Sequence, residues 1–298
     1  MDNKISPPVI DYEGSDYQTT FWEEGGRAYE DGCEQIALRR LLPDEGELLL
    51  EIGAGAGRNT PRYQGFKRVV VNDYSLTQLQ QAQEYLGKSG KYIYVAGDVY
   101  RLPFVNNLFD GATMIRVLHH MQDPLAALKQ INRVLQDQSP FLLEYANKQN
   151  LKAILRYWLG RQEWNPFSLE AIEFEKLNFD FHPKSILNWL IEAGFDLQRQ
   201  LTVSHFRIGF LKKTIPSRIL VALDGLAQIT GNWWQLSPSV FTRNITEKSG
   251  VQSPASGFFQ CPACQGPLPQ EDPGAEELVC PSCAKIYPIV DGIYDFRN

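Results

Sequence analysis

The chain has 298 residues, 43% of them hydrophobic, enough for one α/β domain of ordinary size and a small second unit. Its formal net charge of −6 repels phosphate backbones, so nucleic acid is not the expected partner. The leading run MDNKISPPVIDYEGSDYQ has no apolar core beside positive charge, and no stretch reaches membrane-spanning length. Cys261, Cys264, Cys280 and Cys283 form two C-x-x-C pairs and Cys33 stands alone, the pattern of a metal site in a reducing compartment. The expectation is a cytoplasmic protein with no membrane partner.

From Leu48 to about Asn147, strand-like and helix-like pieces alternate. LLLEI (Leu48–Ile52), RVVVN, YIYVA, GATMIR and FLLEYA are short apolar runs that suit buried parallel strands. Between the first two, GRNTPRYQGF permits only a short helix, because Pro61 and Gly65 bracket it. Ser75 and Gln78 form a capping-box pattern, after which Leu76, Leu79, Ala82 and Leu86 keep one helical face. Asp123 is placed to cap a helix with Pro124 in its first turn. NLKAILRYWLGRQ reads as an amphipathic helix, followed by an aromatic-rich irregular stretch. PKSILNWLIEAGF is a helix started by Pro183 and ended by Gly194. DLQRQLTVSHFR and SPSVFTRNI read as the last two strands, with a helix over SRILVALDGLAQ in the connection. Thr246–Gly257 is polar and apolar-poor and reads as a linker.

Three groups in the alternating region carry chemistry. Glu51-Ile-Gly53-Ala54-Gly55-Ala-Gly57 follows the first strand, where glycines let the backbone turn tightly and approach a cofactor. A dinucleotide fingerprint would need its third glycine at position 58, which is Arg58. Asp73, before Tyr74 at the tip of the second strand, is placed to accept from ribose hydroxyls, or else is a solvated turn residue. Asp98, before Val99 at the end of the third, is placed to accept from an adenine amino group, or else caps a helix. All three fall at carboxyl ends of adjacent strands, where open α/β sheets bind ligands.

LLLEIGAGAGRNT, VVVNDYS, AGDVYRLPF, FDGATMIRVLHHMQDPLAALKQINRVL and FLLEYANK together resemble the class I S-adenosylmethionine-dependent methyltransferases of the type 11 group, over residues 20 to about 245. That resemblance implies a Rossmann-like, seven-stranded, mostly parallel sheet with helices on both faces and an antiparallel last strand. It implies that Glu51, Gly53, Ala54, Gly55 and Gly57 line the methionine and ribose part of the cofactor. Asp73 and Tyr74 would hold the ribose, Asp98 and Val99 the adenine, and Arg116 would lie near the methionine or the acceptor. Residues 1–45, with Tyr17, Phe21, Trp22, Arg27 and Tyr29, would form a lid or pack as a helix on the sheet edge, and 148–182 would be a cap.

On the acceptor side, His119 and His120 follow the fourth strand and are candidate general bases, or simply pack. Glu144 and Tyr145 end the fifth strand and are placed to face the pocket. No Asn/Asp-Pro-Pro-Tyr motif is present, and no cysteine lies near the fourth strand. The cap aromatics Trp158, Trp164, Phe167, Phe174, Phe179 and Phe181 suggest a small apolar or aromatic acceptor, or form the cap's own core.

The two cysteine pairs are separated by fifteen residues, the spacing of a structural four-thiolate zinc site. LVCPSCAKIYPIVDGIYDF resembles the small zinc-ribbon proteins that activate tRNA, rRNA and protein methyltransferases. The organisation expected is a catalytic domain over 1–245, a linker over 246–257 and a ribbon over 258–298 that folds apart from the sheet. The function expected is methyl transfer to a small molecule. The alternatives are an RNA or translation-factor methyltransferase with the activator fused in cis, and a non-catalytic cofactor-binding scaffold.

Overall fold

A computed structural model describes residues 7–10, 13–14, 26–248, 256–270, 272 and 274–297. Tyr17, Phe21 and Trp22 of the expected lid, and most of the expected linker, lie outside these residues.

The chain begins its regular structure with α1 (Ala28–Leu41). The alternating region then gives β1 (Gly46–Ile52), β2 (Phe66–Asp73), α2 (Leu76–Leu86), β3 (Tyr92–Ala96), β4 (Gly111–Met114), α3 (Pro124–Val134) and β5 (Pro140–Ala146). As the proline and glycine require, only a 3-10 turn, Thr60–Arg62, lies between β1 and β2. The Ser75 and Asp123 hydroxyl and carboxylate oxygens accept from the Gln78 and Ala126 N–H groups, so both expected caps are in place. The 147–182 stretch forms α4 (Leu151–Trp158) and a hairpin of β6 (Ile172–Glu175) and β7 (Asn178–Asp180). Then come α5 (Pro183–Glu192), β8 (Phe195–Val203), α6 (Gly209–Thr214), α7 (Ser217–Ala227) and β9 (Ser239–Thr246). The cysteine module supplies β10 (Glu277–Val279), β11 (Ile286–Val290) and β12 (Ile293–Asp295).

The Rossmann-like α/β expectation is met, with one correction: the main sheet has ten strands rather than seven, in the order β10-β11-β12-β3-β2-β1-β4-β5-β9-β8. Strands β1 to β5 are parallel, and β9 runs antiparallel between β5 and β8. The additional strands come from the cysteine module. Its β12 pairs parallel with β3, Ile293 opposite Tyr94 and Asp295 opposite Ala96, so β3 is not an open edge.

The ribbon is therefore packed onto the sheet and does not stand apart from it. Phe259 stacks on Phe104 with ring centroids 5.9 Å apart and lies 4.7 Å from the Tyr294 ring. One continuous core runs from Val95, Phe104 and Leu128 into Phe258, Phe259, Leu278 and Tyr287. The linker's poverty in apolar residues governed the expectation of separateness. The aromatics that join the two parts begin only after it, at Phe258.

Candidate functional site

A cleft opens at the carboxyl ends of β1 to β4. Gly53, Ala54, Gly55, Asp73, Tyr74, Val99 and Arg116 all line it, together with Val9, Ile10, Arg58, Asn72, Gln78, Val117, His120 and Met121. Of the cofactor residues expected from sequence, Glu51, Gly57 and Asp98 stand outside this lining, as do His119, Glu144 and Tyr145 of the acceptor side.

The glycine turn is required by its backbone. Gly53 has φ +66° and a Cβ there would lie 2.1 Å from Val117 Cγ2, so no other residue fits without displacing the cleft wall. Gly57, at φ +80°, packs against Leu86 and Ala82 of α2 instead of the cleft. Asp73 ties the turn to the next helix: its Oδ2 accepts from Gly55 N–H at 2.8 Å and its Oδ1 from Ser75 N–H at 2.9 Å. Asp98 is buried and caps the 3-10 turn Val99–Arg101, accepting from Tyr100 N–H at 2.9 Å, which sets the backbone that presents Val99 to the cleft.

Glu51 sits behind the turn, fully buried, with Thr60 Oγ1 donating to its Oε2 at 2.6 Å. Burial outweighs the hydrogen bonds from Thr60 and Tyr63 and pushes its carboxyl from 4.5 up to about 7.

Sequence reasoning missed an ion-pair network that fastens α1 to the cleft. Arg116 has φ +61°, unusual for a residue with a side chain, and its N–H donates to Glu144 Oε2 at 2.9 Å. Its Nε donates to Glu34 Oε1 at 2.6 Å, and Arg58 Nη2 donates to Glu34 Oε2 at 2.7 Å. Arg58 and Arg62 also converge on Asp31. Burial pushes the Glu34 carboxyl up, but the two guanidinium groups outweigh it and hold it below the usual range. The sequence signal was available: Arg58 stands where a glycine would suit a dinucleotide, and Asp31 and Glu34 are one helical turn apart.

The two histidines have different settings. His120 lines the cleft, and its Nδ1 lies 3.1 Å from the Leu177 carbonyl oxygen, which can only accept. Nδ1 therefore carries the proton and Nε2 the lone pair. Burial lowers the pKa of His120. His119 is more deeply enclosed, and burial, His120, Arg116 and Arg207 hold it well below the ordinary value. Glu144 and Tyr145 are buried and stand outside the cleft lining, with Ser239 Oγ donating to Glu144 Oε1 at 2.5 Å. Asp180 and Arg207 lie near this group; burial first, then Glu144, pushes the Asp180 carboxyl up to about 6. The cap aromatics line no cleft wall: Phe181 joins the main core, whereas Trp158, Phe167 and Phe174 are exposed.

The four cysteines of the module converge. Their Sγ atoms all lie within 4.8 Å of one another, with Cys261–Cys283 at 3.7 Å and Cys264–Cys280 at 3.6 Å. Tetrahedral zinc with bonds of about 2.3 Å needs sulfur–sulfur edges of about 3.8 Å, so the donor set fits. Both knuckles turn alike: Gln265 and Ala284 have φ near +60°, and each N–H donates to the carbonyl of the first cysteine of its pair.

The module also touches the segment before α1. Glu13 accepts from the Leu76 and Thr77 N–H groups at the start of α2, and Arg297, beyond β12, donates to Glu13 Oε2 at 3.1 Å.

Residues 50–143 match a family model described as a methyltransferase domain, and residues 258–292 match one described as a Trm112p-like protein. An O-methyltransferase of Pyrenophora dematioidea is 33% identical over 107 residues, 34% of this chain and 40% of that protein. A demethylmenaquinone methyltransferase of Corynebacterium kroppenstedtii is 36% identical over 98 residues, 33% of this chain and 41% of that protein. These matches span about two fifths of each relative's length. A chain of the complex between the Haloferax volcanii Trm112 methyltransferase activator and a methyltransferase shares the fold, with TM-score 0.55 at 16% identity over 78% of this chain and 96% of that one.

Proposed function

We propose that this chain, which joins a methyltransferase domain to a Trm112p-like zinc-ribbon unit, is an S-adenosylmethionine-dependent methyltransferase acting on a small molecule. The observation that carries the reading is the Asp73 carboxylate holding Gly55 N–H across the mouth of a turn in which Gly53 admits no side chain. Such a turn brings backbone to within contact of a ligand, and the carboxylate beside it is the acceptor a ribose needs. The small-molecule acceptor is supported by the names of the two relatives, an O-methyltransferase and a demethylmenaquinone methyltransferase.

When bound, S-adenosylmethionine supplies a methyl group on a positively charged sulfur. The chain's part is positioning and the exclusion of water, which supply most of the acceleration in such a transfer. Gly53 to Gly55 and Asp73 hold the ribose side. Val99 and Met121 give apolar contact for the adenine, with Asp98 fixing the turn that carries Val99. Arg116 and Arg58 are paired with Glu34, which offsets part of their repulsion of a sulfonium. For an acceptor that must lose a proton, His120 Nε2 is the group in the cleft with a lone pair to receive it, and its lowered pKa keeps it neutral near pH 7. Cys261, Cys264, Cys280 and Cys283 would hold one structural zinc through four thiolates.

Calorimetry tests the reading. S-adenosylmethionine and its demethylated product should bind one per chain and NAD should not. Mass spectrometry of a cell extract incubated with the enzyme and isotope-labelled cofactor should then reveal a labelled small molecule. Labelled RNA or protein in place of one would overturn the acceptor class.

A further inference from the structure

Among the described residues, two helices leave apolar stripes largely exposed, with Phe167 stacked on Trp158 at 6.4 Å between ring centroids. On α4, Leu151, Leu155, Trp158 and Leu159 recur at intervals of four, three and one and are all exposed. Ala153, on the opposite side, and Ile154, beside the stripe, are buried. On α7, Ile219, Leu223 and Leu226 recur at four and three and are exposed, while Leu220 and Gly225 are buried. An amphipathic surface helix normally buries such a stripe.

The stripes are linked along the chain. After α7 the chain passes through Trp233, Trp234 and Leu236, all exposed, and the Leu151 N–H that opens α4 donates to the Leu236 carbonyl at 2.8 Å. Phe210, on α6 just before α7, adds a further exposed ring. The largest exposures are 75% at Trp233, 72% at Phe210, 71% at Leu226 and 69% at Trp158. Scattered exposed apolar residues need no explanation, but a linked set this large marks an interaction face.

The charge around the set selects its partner. Lys152, Arg156 and Arg161 flank the first stripe, and Lys213 and Arg218 the second, all exposed. Across 147–161 and 208–236 the sole acidic residue is Asp224, which is buried and accepts from Tyr29 and His205. The chain as a whole carries −6, and exposed Glu163, Glu170, Glu173 and Glu175 follow α4, so the cations are concentrated on the helices that carry the stripes. A second copy of the chain docked helix to helix would set these cations against each other. Tryptophan, phenylalanine and leucine interleaved with lysine and arginine instead suit the interface of an anionic bilayer, where rings enter the headgroup boundary and cations meet lipid phosphates.

We propose that this face docks on the surface of an anionic lipid bilayer. The segments that carry it leave the carboxyl ends of β5 and β8, and Val203, Ser239 and Ala146 lie in register there. That is the edge of the sheet at which the cleft opens, so docking brings the cleft's edge toward lipid. Among the described residues no helix is long and apolar enough to cross a membrane, so the contact is peripheral. The sequence expectation of no membrane partner rested on that lack of a spanning segment, which does not bear on a bilayer surface.

Flotation of the full chain with phosphatidylglycerol vesicles and with phosphatidylcholine vesicles tests the proposal. The protein should float with the anionic vesicles and not with the zwitterionic ones, and high salt should release it. The double variants Trp158→Glu/Trp233→Glu and Lys152→Glu/Arg156→Glu should each bind the anionic vesicles roughly tenfold more weakly or worse. Calorimetry with S-adenosylhomocysteine should give unchanged affinity in both variants, which establishes that they are folded and separates this proposal from the cofactor assignment. Absence of flotation with either vesicle would overturn it. So would flotation that neither variant weakens, or a sedimenting dimer that Trp158→Glu/Trp233→Glu dissociates.

Discussion

Arg297 donates from Nη1 to Glu13 Oε2 at 3.1 Å, joining the residue just beyond β12 to the segment whose Val9 and Ile10 line the cleft. Glu13 in turn holds the start of α2 through the Leu76 and Thr77 N–H groups. The cysteine module thus touches Glu13 and, through it, the start of α2, as well as pairing with the sheet. Arg297→Ala should weaken S-adenosylmethionine binding by about 1 kcal/mol, the scale of one charge-assisted hydrogen bond at a partly exposed position. Glu13→Gln should do the same, and the double variant should lose less than the sum, because both remove one interaction. Calorimetry on the three variants checks this; full additivity would mean that the pair does not couple the two parts.

Removal of zinc should be felt by the whole chain. Purified, reduced protein should hold about one zinc per chain, the ratio set by four thiolates at one site. Because β12 pairs with β3 and Phe259 stacks on Phe104, chelation should lower the midpoint of the single main unfolding transition. Ending the chain near Asn244 should destabilise what remains, since it uncovers the β3 edge and the Phe104 ring. Scanning calorimetry decides the matter, and two independent transitions, the larger one indifferent to zinc, would contradict it.

Glu34 is the buried anion between Arg58 and Arg116. Glu34→Gln should destabilise the chain by about 3 kcal/mol, because two guanidinium groups lose their shared partner. Its folded pKa lies below the ordinary 4.5, so its stabilisation is present above that value and is lost as pH falls through the folded one. The acid limb of a melting-temperature profile should therefore flatten in the variant. Glu51 works in the opposite sense: raised from 4.5 to about 7, it favours the fold below 4.5 and loses that contribution as pH rises through 7. Glu51→Gln should make the protein relatively more stable at pH 8.

Much of this site is legible in the amino-acid sequence. The apolar runs of β1 to β5 are continuous because parallel strands are buried on both faces, and glycines and acids at their carboxyl ends mark where a ligand sits. Gly53, Gly55 and Asp73 stand out in that way, and Arg116 only through the family resemblance. The pairing of β12 with β3 is not legible, because Ile293–Asp295 is three residues long and carries no period. The clamp on Arg58 is half-legible: the departure from glycine is visible, whereas its partners on α1 are brought close only by the fold. The face of α4 misleads for another reason. Periodicity shows that a helix has an apolar side and says nothing about whether that side is covered.

The two histidines should separate in kinetics once an acceptor is in hand. His120→Ala should lower turnover by about 10²-fold or more for an acceptor that must be deprotonated, while leaving cofactor affinity nearly intact. His119→Ala should chiefly cost stability. The activity dependent on neutral His120 should persist as pH falls through 6.5, the ordinary histidine value, and decline only below it, because burial lowers its pKa. Equal turnover in the His120 variant would mean that the ring only packs.

The most direct measurement is titration calorimetry of the intact chain with S-adenosylhomocysteine, repeated on Asp73→Ala and Gly53→Ala. One site per chain is expected, with Asp73→Ala weakened by about 1–3 kcal/mol, the cost of leaving hydrogen-bonding groups unpaired. Gly53→Ala should bind weakly or not at all, since its Cβ would lie 2.1 Å from Val117 Cγ2. Tight binding of NAD with no uptake of S-adenosylhomocysteine, or S-adenosylhomocysteine binding that neither substitution disturbs, would contradict the assignment of the cleft.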